Sequence, residues 1–256
     1  MKKFFVLLMA LVVSISINAQ NRLDDNGQKT GKWSKTYDNG KLKYKGQFEE
    51  GHEVGKFIFF FPTGKKKSIM TFSEKGKKAA VITYYKNGKQ QSTGSYFDKK
   101  KDGVWKYYNQ TDGAIVKQEG YKKGAKDGAW IVFYSGKGKA TEVIWKDGKR
   151  NGIWKEYFEN GKVKLSAEFS DDKMVGEYTD YASNGKVSKK GLYVDGKQDG
   201  KWISYNDNGG FNNVTIYKMG QIRNEKRYED GKLILEIDKV NHKVTDYRKK
   251  SDGGEE

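Results

Sequence analysis

A glycine two residues ahead of an aromatic recurs along nearly the whole chain, about every 24 residues. It stands as Gly31-Lys-Trp33, Gly55-Lys-Phe57, Gly103-Val-Trp105, Gly128-Ala-Trp130, Gly152-Ile-Trp154, Gly176-Glu-Tyr178 and Gly200-Lys-Trp202. Successive glycines are 24, 48, 25, 24, 24 and 24 residues apart. The double step implies a missing copy, and Ala79-Ala80-Val81 occupies its place with neither glycine nor ring. A fixed period of this size marks a repeat array, in which each unit buries apolar surface only against its neighbours. Such arrays present long surfaces and seldom enclose a deep catalytic pocket.

A second glycine follows most lead glycines, usually before lysine: Asn39-Gly40, Thr63-Gly64, Asn87-Gly88, Asn160-Gly161, Asn184-Gly185 and Asn208-Gly209, with Asp112-Gly113 after a one-residue insertion. Asn-Gly between aromatic runs predicts a hairpin closed by a type I′ turn. The strand after each turn alternates, as in Leu42, Tyr44, Gly46, Phe48 and in Val163, Leu165, Ala167, Phe169, which predicts one covered face. Its third member is often tiny (Gly46, Gly94, Ala167, Gly191). A glycine inside a strand marks close approach by another group, here expected to be a neighbouring ring. The strand before each turn carries a second aromatic three residues after the first, as in Phe57 with Phe60 and Trp105 with Tyr108. That spacing leaves two options, rings on both faces or a bulge that realigns them. A second, looser turn joins the units, as in Asp147 to Gly152 and Asp195 to Gly200.

Composition fits a thin sheet better than a thick core. Hydrophobic residues are 35% of the chain while aromatics reach 14%, and disordered chains are poor in aromatics. The expected fold is therefore all-β: an elongated single-layer antiparallel meander of about eight β-hairpin repeats. Eight units give roughly sixteen strands and a length of about 75 Å. Residues 31–217 form the array, 218–240 a partial repeat or cap, and 241–256 a flexible tail; 20–30 is a linker.

Residues 1–19 read as a secretory signal peptide: Lys2 and Lys3, an apolar run from Phe4 to Val13, and small residues before a cut near Ala19-Gln20. The apolar run is short for a membrane span. Cleavage lowers the net charge from +17 to +15. Without cysteine, disulfides, thiolate metal sites and lipidation on an N-terminal cysteine are excluded. The chain is expected to be exported to the periplasm, cell surface or medium, with no transmembrane segment in its mature form.

The unit Gly-x-Trp, Tyr or Phe, Asn-Gly-Lys, then Tyr-x-x-Gly-Lys-x-Asp-Gly resembles the MORN repeat in its bacterial variant form, over about residues 31–231. Members of that variant family include YwqK-like antitoxin components. The resemblance implies a twisted, elongated antiparallel sheet that binds proteins or acidic lipid head groups, and it carries no catalytic residues to transfer. An exported chain sits badly with an antitoxin role.

Catalysis needs several groups in fixed geometry. His52 in an inter-repeat turn and His242 in the tail are the two histidines, and they have no metal or triad spacing. Asp102, Asp127 and Asp199 each precede a lead glycine and read as turn formers. A calcium site needs several oxygen ligands in one loop, and these loops carry lysine beside each acid. Gly136-Lys137-Gly138-Lys139 precedes a strand, not the helix that a phosphate loop requires. No cofactor is expected and the chain reads as no enzyme.

Lysines crowd the turns and so line both long edges, Lys65, Lys66, Lys67 and Lys99, Lys100, Lys101 among them. They serve either to attract an anionic partner or to solubilise a thin sheet and guard its ends. Nucleic-acid stacking is disfavoured because the rings keep the repeat's period. The reading is an exported, non-enzymatic binding or scaffold module for a protein or an anionic envelope component. The alternatives are a toxin-neutralising protein and a phospholipid or polysaccharide surface binder. The irregular stretches near Ala79 and after Tyr217, together with the lysine turns, are where specificity is expected.

Overall fold

The computed structural model describes residues 20–248, so the expected leader and the last residues of the expected tail lie outside it. Twenty strands follow one another with no helix between them. The first six are β1 (Arg22–Leu23), β2 (Lys29–Thr36), β3 (Leu42–Glu49), β4 (His52–Phe60), β5 (Lys66–Ser73) and β6 (Lys78–Tyr84). Next come β7 (Gln90–Phe97), β8 (Lys100–Tyr108), β9 (Ile115–Lys122), β10 (Ala125–Phe133), β11 (Lys139–Lys146), β12 (Lys149–Tyr157) and β13 (Val163–Ser170). The last are β14 (Lys173–Tyr181), β15 (Val187–Val194), β16 (Lys197–Tyr205), β17 (Phe211–Lys218), β18 (Gln221–Glu229), β19 (Lys232–Asp238) and β20 (Lys243–Asp246). Each pairs antiparallel with the next, and β1 and β20 each have one neighbour, so the meander is open. The all-β hairpin array stands.

Its ends differ from expectation. Residues 20–30 are not a plain linker: β1 pairs with the start of β2, and the Arg22 carbonyl accepts the Trp33 indole N–H at 3.1 Å. Trp33 has no earlier repeat to lean on, and this short hairpin stands in for one. Past Tyr217 the pairing continues through β18 and β19 to β20, within the segment expected to be tail. A terminal strand that stays paired keeps its neighbour's backbone satisfied.

The turn types are exchanged relative to expectation. At the Asn-Gly sites only the glycine is left-handed (Gly40, φ 78°), and Gly40 N donates to the Tyr37 carbonyl at 2.9 Å. This is a type I turn followed by a left-handed glycine, the usual three-residue hairpin loop. The asparagine is kept for its side chain: Asn39 Oδ1 accepts from Lys41 N at 3.1 Å, and Nδ2 donates to the Pro62 carbonyl in the next repeat at 3.0 Å. The looser-looking inter-repeat turns are the two-residue ones with both residues left-handed, as in Asp147-Gly148 (φ 48° and 87°) and Asp195-Gly196 (51° and 78°).

The lead glycine opens a bulge. Gln47 pairs with Val54 and Lys45 with Ile58, so Gly46 alone faces three residues, Gly55 to Phe57. Gly94 faces Gly103 to Trp105, and Gly191 faces Gly200 to Trp202, in the same way. Gly55, Gly103 and Gly200 have φ of 62°, 72° and 67°, a region closed to most residues. The bulge swings the aromatic back over the small residue: a Cβ on Gly46, Gly94 or Gly191 would collide with the ring of Phe57, Trp105 or Trp202. Those three rings are 2–3% exposed. The indole N–H of Trp105 donates to the Ser95 carbonyl at 3.0 Å, and that of Trp202 to the Leu192 carbonyl at 3.1 Å. The second aromatic lies on the other face, where the Tyr108 hydroxyl meets Thr93 at 3.3 Å and that of Tyr157 meets Glu142 at 3.2 Å. Both faces carry rings.

The missing copy has a structural equivalent. Between β5 and β6 the register runs without a break, and the turn lengthens to four residues, Glu74 to Lys77.

Because the Trp202 ring crowds Gly191, Gly191→Ala is expected to cost about 1–3 kcal/mol through overpacking. Gly138→Ala, where nothing lies within 4 Å, should stay within about 0.5 kcal/mol of wild type. Urea midpoints followed by tryptophan fluorescence compare them, and equal midpoints would mean that the ring yields.

Candidate functional site: the irregular centre of the ring-bearing face

The face bearing the lead aromatics has three parallel rows. One is the lead ring. The second is the aromatic two residues past the small position: Phe48, Phe72, Tyr96, Tyr121, Trp145, Phe169, Tyr193 and Tyr217. These meet the first row largely edge-on, as Tyr96 with Trp105 (5.0 Å, 73°) and Tyr193 with Trp202 (5.1 Å, 87°). The third lies two residues before the lead glycine and in four units (Lys29, Lys101, Lys126 and Arg150) supplies a cation over the rings. Lys29 sits 4.8 Å above both Trp33 and Phe48, Lys126 lies 4.2 Å from Trp130 and 4.0 Å from Trp145, and Arg150 lies 4.1 Å from Phe169. Such contacts are worth about 0.5–1 kcal/mol at exposed sites and more when desolvated.

Two neighbouring units at the centre break this order. In β6, Ala79 and Val81 stand where the others carry glycine and ring, and Met70 stands in the small position opposite Val81. A hollow of about 400 Å³ opens there.

In the second break Glu119 takes the small position, between its register partners Trp105 and Trp130. Its side chain is 5% exposed, and Lys117 lies 2.7 Å and Lys101 3.8 Å from it. The hydroxyls of Tyr107 and Tyr121 donate to Glu119 Oε2 at 2.7 and 3.0 Å. Burial pushes the Glu119 carboxyl up, but the bonds from Lys117, Tyr107 and Tyr121 outweigh it and hold the group below its ordinary value. Burial, then the bond to the Glu119 carboxylate, raises the Tyr121 hydroxyl to about 12 and pushes Tyr107 up further. Lys101 donates to Tyr107 Oη at 2.6 Å and lies 4.5 Å from Trp105 and 4.8 Å from Tyr121. Burial lowers its ammonium, partly offset by Glu119. Gly120, one residue on, leaves room for the Asp127 carbonyl.

The repeat residues Gly31, Trp33, Gly55, Phe57, Gly103, Trp105, Gly128, Trp130, Gly152, Trp154, Gly176, Tyr178, Gly200 and Trp202 are thus spent on packing and bulges. The six lysines singled out from the sequence do not converge. Lys65, Lys66 and Lys67 are exposed beside the Gly64 turn, and Lys99 and Lys100 are exposed at the opposite edge. Lys101 is turned onto rings and Glu119. Glu119 and the cation row were missed by sequence reasoning. The signal for the row was present as Lys or Arg, any residue, Gly, any residue, aromatic. Asp102, Asp127 and Asp199 reach across to the neighbouring loop, where Asp102 accepts from Lys123 N at 2.9 Å and Asp199 from Met219 N at 3.2 Å. Among the described residues no three His, Cys, Asp or Glu side chains are placed to hold a metal, and no helix is long and apolar enough to cross a membrane.

An open array of stacked hairpins, with shallow hollows rather than a closed cavity, defines a β-repeat protein. The MORN repeat variant model matches residues 29–50, 53–74, 150–171 and 174–195, so the chain carries this repeat in those four segments. The matches flank the two irregular units. No curated protein matches the chain. Among solved structures, a mutant of S. aureus TarM in complex with fondaparinux, α-GlcNAc-glycerol and UDP aligns at 14% identity and a TM-score of 0.29. A second TarM structure aligns at 15% and 0.28. Each alignment covers 42% of this chain and spans 21% of the TarM chain's length.

Glu119→Gln leaves two ammonium groups without their shared counter-charge. It is expected to cost about 1–3 kcal/mol at pH 7. The depressed carboxyl stabilises the fold above the ordinary glutamate value and loses that effect as pH falls through its folded value. The gap between variant and wild type should therefore shrink from about pH 4 downward. Urea midpoints across a pH series read both effects.

Proposed function

We propose that this chain is an exported, non-enzymatic binding module whose lysine-lined edges hold an anionic envelope component, such as a phospholipid head group or a cell-wall polymer. MORN repeats generally serve as binding or scaffold modules. The observation that carries the finer reading is at the edges. Lys65, Lys66 and Lys67 on one edge and Lys99 and Lys100 on the other are exposed and form no ion pair among the described residues. Some other turn lysines are engaged between repeats, as Lys173 with Asp195 at 2.6 Å and Lys137 with Glu159 at 2.6 Å. Unpaired lysines on a chain of net charge +17, or +15 after cleavage of the leader, suit a flat anionic partner met by many weak contacts. The N-terminal segment supports export: a basic start, an apolar run and small residues before Gln20.

Sedimentation with phosphatidylglycerol vesicles over a salt series tests this reading. The mature chain should pellet at about 50 mM salt, be released toward about 500 mM, and ignore neutral phosphatidylcholine vesicles. Replacing Lys65, Lys66 and Lys67 with Glu should weaken retention and flatten the salt dependence. Failure to pellet at low salt ends the anionic-surface reading and leaves a protein partner to pursue.

A further inference from the structure

The hollow at β6 lies where the period calls for a ring. Phe72 and Tyr96 flank it, each the register partner of Ala79 on its own side, and Met70 and Val81 form its middle. Its volume of about 400 Å³ is in the range of small-molecule sites. At the turn end stand Lys77 and Lys99, both exposed, and no acidic side chain belongs to the lining. The opposite end is hydroxylic, with Ser68 and Thr83.

Lys77 stands two residues before Ala79, as Lys101 stands two before Gly103, but it lies in the four-residue turn, and Ala79 takes the register place opposite Phe72. Lys101 has the Trp105 ring beneath it at 4.5 Å. Lys77 has no ring from its own unit, because Val81 stands there. The array therefore presents a vacant ring position with a turn lysine at its rim. A second cation, Lys99, adds a charge that a neutral ring alone would not satisfy.

We propose that this hollow binds a small planar aromatic molecule carrying a negative charge. The ring lies between Phe72 and Tyr96 over Val81, and the anionic group meets Lys77 and Lys99. This site is separate from the lysine edges and stands or falls independently of them.

Fluorescence titration of the mature chain with anilinonaphthalenesulfonate, beside the uncharged phenylnaphthylamine, tests the proposal. The sulfonate should bind saturably at one site per chain and more tightly than the neutral probe. Val81→Trp fills the vacancy with the residue that other units carry there and should abolish the saturable signal. The double variant Lys77→Glu with Lys99→Glu changes only exposed side chains. It should weaken the sulfonate about tenfold or more and leave the neutral probe nearly unchanged. Far-ultraviolet circular dichroism confirms that each variant is folded. Sulfonate binding as tight in the lysine double variant as in wild type would overturn the proposal, as would equal affinity for both probes or a signal that never saturates.

Discussion

A single layer of sheet has no second layer to pack against, so each unit must bury its own ring within the sheet. The left-handed lead glycine makes this possible. It lets one residue oppose three, and the extra chain folds the aromatic down onto a neighbouring strand that carries no side chain to obstruct it. Burying such a ring is worth roughly 1.5–3 kcal/mol, and it recurs with every regular unit. The indole N–H, once covered, needs an acceptor, and the carbonyl just past the small residue supplies it for Trp105, Trp130 and Trp202. Leaving it unmet would cost about 1–3 kcal/mol. Glycine, ring, small residue and carbonyl therefore form one set. Where the set is absent it is absent whole: Ala79 for the glycine, Val81 for the ring, Met70 for the small residue, and no bulge.

That unit still keeps the period. Regular units place two extra residues in the bulge and two in the turn, whereas this one places none in the bulge and four in the turn. The exchange is even-numbered, and it has to be. A slip of one residue would turn every later side chain to the opposite face and break both ring rows. Ala79 thus stays on the ring-bearing face at 3% exposure, opposite Phe72 and Tyr96.

The period, the hairpins and the ring over Gly46 and Gly191 were legible because they are local: spacing, alternation and one missing side chain. The turn assignment misled because Asn-Gly was weighed for backbone freedom, while the asparagine is used for side-chain bonds within its turn and to the next. Glu119 was invisible as one acid among many. It becomes distinctive only when the units are aligned on Tyr121, which places it in a position that the others fill with an uncharged residue, most often glycine. Lys101 was read by its neighbours in sequence, Lys99 and Lys100, yet strand alternation turns it onto the ring face while they stay in solvent. The ends were underestimated because the need to cover Trp33 and β19 is a demand of the finished sheet, and no local signal carries it.

In a linear array the stability of a unit rests on itself and its two neighbours. An irregular unit therefore charges its cost locally, and regular units on both sides can hold it in place. The family matches at 29–74 and 150–195 bracket the stretch that contains the vacant ring position and the buried Glu119. A carboxylate between two tryptophans gains nothing for packing that an alanine would not supply, and a missing ring forfeits burial outright. Both departures lie side by side on one face, linked by the Tyr96–Trp105 contact at 5.0 Å. The regular flanks thus act as the frame, and the centre, where the array gives up packing for charge and space, is where its surface becomes particular to this chain.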